Sequence, residues 1–573
     1  MVTIDELFPR ISDYVSYHAR NRPDHIALHE YSGLTAKNPS ISYHELDQIT
    51  DDVAKNLLAL GLKKGDILIT SYPMTIEFNI IAIAAFKIGV IIAPMDLRYK
   101  AKELIRLAKL IRPKVSCFIA KSGEKSIIEI IQTARAELSS IISPSNWFQS
   151  DTGMTRSAIE IPLLDGARSI SELFASPMIS EIELNKAKSD VKREDPCLII
   201  FTVGSTGSNK PALLSHDNVA VQCMHGLNWN RSQEPVYHSD TISIVNLPTS
   251  HVGGITEQLW FTLFAGGTAV LIPMFNPRLT LEAIQKYRVT TLGQIPAQYK
   301  MEFMLSDFKT YDLSSLKYTI YGGMLVNEAF IDQLIQLGGK IGTGMGLTET
   351  AGLTTFTDFD DDPHQFTQQI GKPTPEYPIT IRYPMHSDGS AGEEKPQGEI
   401  GEICYSGRQT FLGFYNMPEE TRKVIAKEGI FYSGDTGSLS PEGKLILHGR
   451  SKMMIKTKGY NVFPREVEEA LKAHPQIADA VVLSRPHKIF DEAIIAFIQP
   501  ATPLRVEQLG PEIWEKAVED LAGYKKPLVY IPVARLPAQR VTKTDLHELI
   551  TLADEKLEEL RATGQYDAVQ VEK

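Results

Sequence analysis

Helical periodicity that keeps breaking into short β-branched runs is what most narrows the folds open to this chain. Residues 43–62, "YHELDQITDDVAKNLLALGL", space their apolar side chains at three and four positions, and "DILITSY", "VIIAP" and "VSCFIA" follow. Such alternation predicts a doubly wound α/β unit, because strands covered on both faces read as nearly unbroken apolar runs. It returns between about 240 and 345 in "TISIVNLP", "TAVLIP", "TLGQIP" and "YTIYGG", so a second unit is expected. From 355 to 448 helices thin out, and turn-rich stretches such as "SDGSAGEEKPQGE" separate "PITIRY", "GEICYSG" and "LILHGR". That pattern predicts a β-rich subdomain.

Beyond Arg450 the reading changes to "VEEALKAHPQIADAVVL" and "AIIAFIQ", then to a charged helical tail from Lys543 to about Arg561. A chain of 573 residues needs several cores. The expected fold class is α/β, with a large N-terminal domain over 1–450 holding two doubly wound subdomains (about 1–200 and 200–350) and the β-rich one (about 355–448). A small α+β domain over 451–573 completes it. The tail "LHELITLADEKLEELRATG" has leucines and acids at helical spacing, which suits either docking of a partner or, the expected case, covering the small domain.

Lys and Arg number 59 against 70 Asp and Glu, a formal charge of -11, so the surface repels polyanions and nucleic acid is not expected as a partner. Any phosphate bound here must be neutralised by a few placed cations or a metal. Cys117, Cys197, Cys223 and Cys404 lie far apart without C-x-x-C spacing, against a zinc site or a disulfide framework. The start "MVTIDELFPRISDYV" has no cationic segment leading an apolar run, and the most apolar stretch, 80–95, is interrupted by Lys87 and Gly89. Neither a secretory signal nor a membrane span is expected, and a cytoplasmic enzyme is.

The segment "FTVGSTGSNKP" at 201–211 offers backbone N–H groups, hydroxyls and an ammonium to an anion, yet lacks the spacing of a P-loop NTPase. Alone it is equally a tight turn. Other stretches follow it in order: "GMGLTET" at 344–350, "FYSGDTG" at 431–437, "GRSKMMIKTKGYNVFPREVEEAL" at 449–471 and "RVTKTDL" at 540–546. Plainer roles exist for each residue taken singly. Thr348 and Glu349 could open an ordinary helix, Asp435 could mark a Gly-Asp turn, Arg450, Lys452 and Lys543 could be solvated charges, and His251 could be a satisfied core side chain.

In that order the motifs resemble the adenylate-forming superfamily of acyl-CoA synthetases, luciferases and adenylation domains of nonribosomal peptide synthetases. The resemblance runs from "ISYHELDQITDDVAKNLLALGLKKGD" to Lys543 and is strongest to AMP-forming acyl-CoA synthetases. It implies a distorted barrel for the β-rich part, a mobile C-terminal domain, and the use of ATP and Mg2+ to turn a carboxylic acid into an acyl-adenylate with release of pyrophosphate. Thr202, Ser205, Thr206, Gly207 and Lys210 would cradle the leaving phosphates. Thr348 would touch the α-phosphate, Glu349 with Thr206 would hold Mg2+, and Asp435 and Arg450 would take the ribose. Gly323, Gly344, Met345 and Gly346 would border the nucleotide, and His251, Gly253, Gly322 and Gly344 the acyl group. Lys543 would bridge the acid and the α-phosphate, where negative charge gathers in the transition state. Lys452 would be the hinge, and Lys456, Gly459 and Asn461 would form the face used for thiol attack.

Coenzyme A is the expected acceptor, and the phosphopantetheine arm of a separate carrier protein is the alternative. No Asp occurs in 246–254, where amino-acid-activating members place one, so a simple acid with an apolar or aromatic body is expected. Val203, Asn209, Pro211, Met345 and Thr542 depart from the family pattern. These departures keep open a homologue that binds nucleotide or acyl ligand without turnover, although Lys210, Thr348, Glu349, Asp435, Arg450 and Lys543 are all present.

Overall fold

The computed structural model describes residues 8–32, 38–122, 125–150, 162–177, 179–203, 209–229, 236–450, 455–457, 460–487, 491–502, 504–519, 521, 523–540 and 543–563. Two seven-stranded sheets form its body. The first runs in spatial order Asn209–Ser215, Pro196–Val203, Ile91–Pro94, Ile67–Ser71, Val115–Phe118, Trp147–Gln149 and Arg168–Ser169. All its pairs are parallel except the hairpin that ends in Asn209–Ser215. Every residue of Ile67–Ser71 is buried, which is why the strand reads as an unbroken apolar run.

The second sheet runs Lys340–Thr343, Tyr318–Tyr321, Thr291–Gln294, Ile242–Val245, Thr268–Leu271, Ile26–Glu30 and Ser40–Ser42. Its last two strands come from the start of the chain, and Leu28 stands opposite Ala269 in parallel register. The sheets therefore interleave in sequence: the first extends to Ser215, and the second reaches back to Ile26.

Local chemistry sets the helices between these strands. Tyr43–Ala59 starts at a capping box, in which the Ser42 N–H donates to Glu45 Oε2 (2.8 Å) and the Glu45 N–H donates to Ser42 Oγ (3.3 Å). Ile76–Lys87 is buried nearly all round and is apolar to match. Lys87, the odd residue in that run, is itself buried, with Nζ 2.6 Å from carboxylate oxygens of both Asp47 and Asp51 on the neighbouring helix. Its charge is thus paired rather than solvated.

The β-rich segment is a four-stranded antiparallel sheet of Ile379–Arg382, Gly401–Tyr405, Phe431–Leu439 and Leu445–Arg450. A separate C-terminal domain pairs Tyr460–Val462, Ile455–Thr457, Asp491–Pro500 and Ile477–His487, with Val529–Pro532 added parallel to Asp491–Pro500. The tail helix Leu546–Ala562 buries Leu549, Ala553 and Leu557 against Val481, Leu483, Ile495 and Phe497. It covers the small domain, as its spacing predicts. The four cysteines are free and buried. Among the described residues no helix is long and apolar enough to cross a membrane.

Candidate active site

The carboxyl ends of both sheets, the β-rich segment and the C-terminal domain enclose a cleft of about 1580 Å³. Into it come Thr202, Lys210, His251, Gly253, Gly322, Gly323, Gly344, Met345, Gly346, Thr348, Glu349 and Asp435. Segments more than 200 residues apart in sequence thus share one cavity.

Thr202 and Lys210 stand opposite each other in the hairpin of the first sheet. The connecting residues, with Ser205, Thr206 and Gly207, lie outside the described residues. Lys210 Nζ is 2.5 Å from Glu420 Oε2 and 5.2 Å from the centroid of the Phe414 ring. Lys210 and Lys423 both pair with Glu420 and hold its carboxyl down to about 2. Asn209 is buried and donates from Nδ2 to the Tyr99 hydroxyl (3.2 Å). Pro211 lies on an edge strand, where its missing N–H breaks no ladder within the sheet, and its carbonyl accepts from the Tyr415 N–H (2.8 Å). Two departures from the family pattern therefore brace the hairpin.

Thr348–Thr350 is a single 3₁₀ turn between the short strands Gly346–Leu347 and Gly352–Leu353, not the opening of a longer helix. Ala351 closes it at φ 55°. The carbonyl of that residue accepts from Thr256 Oγ1 (2.6 Å), which locks the turn to the helix behind it. Met345 is buried, its N–H donating to Thr355 Oγ1 (2.9 Å) and its carbonyl accepting from the Thr354 N–H (2.7 Å). Backbone passes so close here that a β-carbon on Gly344 would sit 2.0 Å from the Thr355 carbonyl oxygen. Asp435 is buried on the β-rich sheet, directly across the ladder from Arg450. The Arg450 side chain lies outside the description.

His251 leads into Gly253–Trp260, an eight-residue π-helical segment. Wide helical turns of this kind are rare and concentrate at functional sites. The loop before it is held from below by buried amides. Gln258 Oε1 accepts from the N–H groups of Asn246 and Leu247 (3.0 Å each), and Asn246 Nδ2 donates to Gln294 Oε1 (2.7 Å). Gln294 Nε2 in turn donates to Glu302 Oε2 (3.0 Å). Burial pushes the Glu302 carboxyl up to about 8.

The C-terminal domain presents Pro464, Arg465, Glu468, Ser484, Arg485 and Ile550 to the cleft. Arg465 Nη1 donates across the joint to the Leu447 carbonyl (3.1 Å). Lys543 lies in a two-stranded hairpin, opposite Arg540, and its side chain is outside the description. Lys456 and Asn461 are cross-strand partners in another hairpin. Lys452, Gly459 and Thr542 are outside the described residues, as are the side chains of Val203, Lys456 and Asn461.

Sequence reasoning missed two acids of this cleft region. Glu420, 210 positions from Lys210, carries no local signal. Glu257 does carry one, as a lone charge within the apolar "VGGITEQLWFTLF". It lines the cleft, and burial pushes its carboxyl up to about 7, partly offset by the Leu353 N–H.

Residues 15–415 match the family model described as AMP-binding enzyme, and residues 466–543 match the AMP-binding enzyme C-terminal domain. A putative acyl-CoA ligase of Bacillus subtilis (strain 168), YdaB, is 27% identical over 540 residues, spanning 91% of this chain and 96% of that protein. ScoC of Streptomyces coeruleorubidus, a fatty acid–acyl-carrier-protein ligase, is 24% identical over 551 residues, spanning 93% of this chain and 95% of that one. The crystal structure of the anthranilate CoA ligase AuaEII with anthranoyl-AMP has a TM-score of 0.81 at 20% identity, covering 97% of this chain and all of its own. At that identity the likeness is one of fold.

Proposed function

This chain belongs to the AMP-binding enzyme family, and from that premise we propose that it converts a carboxylic acid to an acyl-adenylate and then to the thioester of coenzyme A. The observation that carries the reading is the gathering of Thr202, Lys210, Thr348, Glu349 and Asp435 into one cleft from three separate parts of the chain. In the first half-reaction a carboxylate oxygen attacks the α-phosphorus of ATP, the bond to the β-phosphate oxygen breaks, and pyrophosphate leaves. In the second, a thiolate sulfur attacks the acyl carbon and AMP departs.

Each group has a physical task. Two anions must meet, so cations and hydrogen-bond donors aimed at the developing charge dominate the catalysis. Lys210 reaches the β and γ phosphates by exchanging Glu420 for phosphate oxygens, with Thr202, Ser205, Thr206 and Gly207 completing the cradle. Thr348 binds the α-phosphate, Asp435 accepts from the two ribose hydroxyls, and Arg450 sits across the ladder from it. Gly323, Gly344, Met345 and Gly346 border the nucleotide, while His251, Gly253 and Gly322 border the acid. Among the described residues no three His, Cys, Asp or Glu side chains form a metal cage. Mg2+ carried on nucleotide phosphates needs only one or two protein carboxylates. Glu349, aided by Thr206, fits that demand, and the ion would neutralise phosphate charge.

Residues 451–573 form the mobile part in this reading. Lys543 neutralises the approach of acid to phosphate, and rotation about Lys452 then withdraws it and brings Lys456, Gly459 and Asn461 to the thiol path. A cytoplasmic setting accords with the use of ATP. Pyrophosphate release over a panel of acids tests the reading, and formation of ADP in place of AMP rejects it. The relative ScoC favours one second reading, transfer to a carrier protein's phosphopantetheine arm. Comparing coenzyme A with a holo carrier protein as acceptor separates the two.

A further inference from the structure

Inside the acyl end of the cleft, Glu257 is a carboxyl group with too few partners. Trp229, Tyr237, Phe261 and Leu353 line the same cleft, with Tyr237 near enough to feel its charge and the Leu353 N–H donating to it. Among the described residues it has no ion pair, and the N–H of Leu353 is the hydrogen bond that compensates its burial. Gln222, on the adjacent helix His216–Leu227, is fully buried, and among the described residues neither Nε2 nor Oε1 has a partner. The two groups converge: a β-carbon on Gly352 would lie 2.7 Å from Gln222 Nε2 and 2.9 Å from Glu257 Oε1. Glu257 faces the cleft with one backbone N–H against its carboxyl, so it keeps acceptor capacity for a ligand bound there.

Position along the helix indicates which part of a ligand arrives there. Glu257 lies six residues beyond His251, a rise of about 9 Å at α-helical pitch and less in a π turn. That is the reach of a substituted ring whose carboxylate lies at the His251 end. On the reading of this cleft as an acid-activating site, we propose that the substrate is an aromatic acid bearing a hydroxyl or amino group away from its carboxylate, and that Glu257 accepts a hydrogen bond from it. Glu257 is thereby a specificity residue. It rejects acids whose body is wholly apolar, since these would leave its carboxyl desolvated and unmatched, and a site built to bind a donor discriminates strongly against analogues lacking one.

The test uses benzoate and its para- and meta-hydroxy, amino, methoxy and dimethylamino derivatives, with wild type, Glu257→Gln and Glu257→Leu. Pyrophosphate release gives kcat/KM, and calorimetry gives binding of the same acids. For wild type, the hydroxy or amino acid should exceed its methylated counterpart by roughly 10- to 100-fold, the span of a hydrogen bond to a charged group. Glu257→Leu should erase that preference and raise use of plain benzoate, with the KM for ATP unchanged. Comparing the hydroxy with the amino series identifies the donor. Equal use of free and methylated acids by wild type overturns the inference, as does a Glu257→Leu effect uniform across all acids. If no acid yields pyrophosphate, the adenylation reading falls instead. The calorimetric preference then decides on Glu257 separately: a donor preference lost in Glu257→Leu upholds it, and equal affinities overturn it.

Discussion

Glu302→Gln should stabilise the protein increasingly as pH rises. Glu302 has no exposed surface, one carboxyl oxygen accepts from Gln294 Nε2, and the other has no partner among the described residues. Burial raises its pKa from 4.5 to about 8, so the folded state binds the proton more tightly than the unfolded chain does. Stability is therefore lost as pH rises through the interval between those two values, by about 1.4 kcal/mol per pH unit, and is flat above it. The product, about 5 kcal/mol, is a ceiling, and relaxation of the surroundings brings the working figure to about 2–4 kcal/mol. Glutamine keeps the acceptor for Gln294 and cannot ionise, so the variant escapes this loss. Thermal unfolding of both proteins between pH 5 and pH 9 should show nearly matching midpoints at the acid end and a gap of about 2–4 °C in favour of the variant at the alkaline end. Glu257, raised to about 7, titrates in both proteins and cancels in the difference. Tyr299, whose hydroxyl burial lifts well above its ordinary value, stays neutral throughout. A gap independent of pH, or a wild type more stable than the variant at pH 9, would refute the reasoning.

Three further outcomes are expected. Gly344→Ala places a methyl 2.0 Å from the Thr355 carbonyl oxygen. The Met345 loop must move, with a drop of about 3 kcal/mol in stability and at least a hundredfold loss of pyrophosphate release, and a wild-type melting curve with full activity would reject this. Lys543→Ala should abolish adenylate formation yet leave thioester formation from supplied acyl-adenylate largely intact, so equal loss of both half-reactions would argue against two poses. Met345→Tyr should lower the apparent KM for ATP severalfold by stacking on adenine. An unchanged value would mean that the thioether already suffices.

The layers of the fold were legible wherever burial was two-sided. Ile67–Ser71 and Ile91–Pro94 read as strands because each lies fully inside the sheet core. The motif residues were legible through their order along the chain, and the cleft holds those whose side chains are described. What stayed hidden were pairings made across long separations. Lys87 read as a break in an apolar run, since its partners Asp47 and Asp51 sit on another helix. Glu420 meets Lys210 only because the segment around Phe414 folds back over the hairpin edge, with the Leu213 N–H donating to the Gly413 carbonyl (3.0 Å). The shape of the Thr348 turn was not legible, because its closure depends on Ala351 at positive φ and on Thr256 from another helical segment.

The backward reach of the second sheet bears on how the polypeptide is made. Ile26–Glu30 leaves the ribosome early, but its parallel neighbour Thr268–Leu271 is translated some 240 codons later. At roughly 5–20 residues per second that delay is on the order of 10–50 s. Throughout it the edge of that early-made ribbon stays open, far from the growing end, and chaperone capture or aggregation competes with assembly until Thr268–Leu271 emerges.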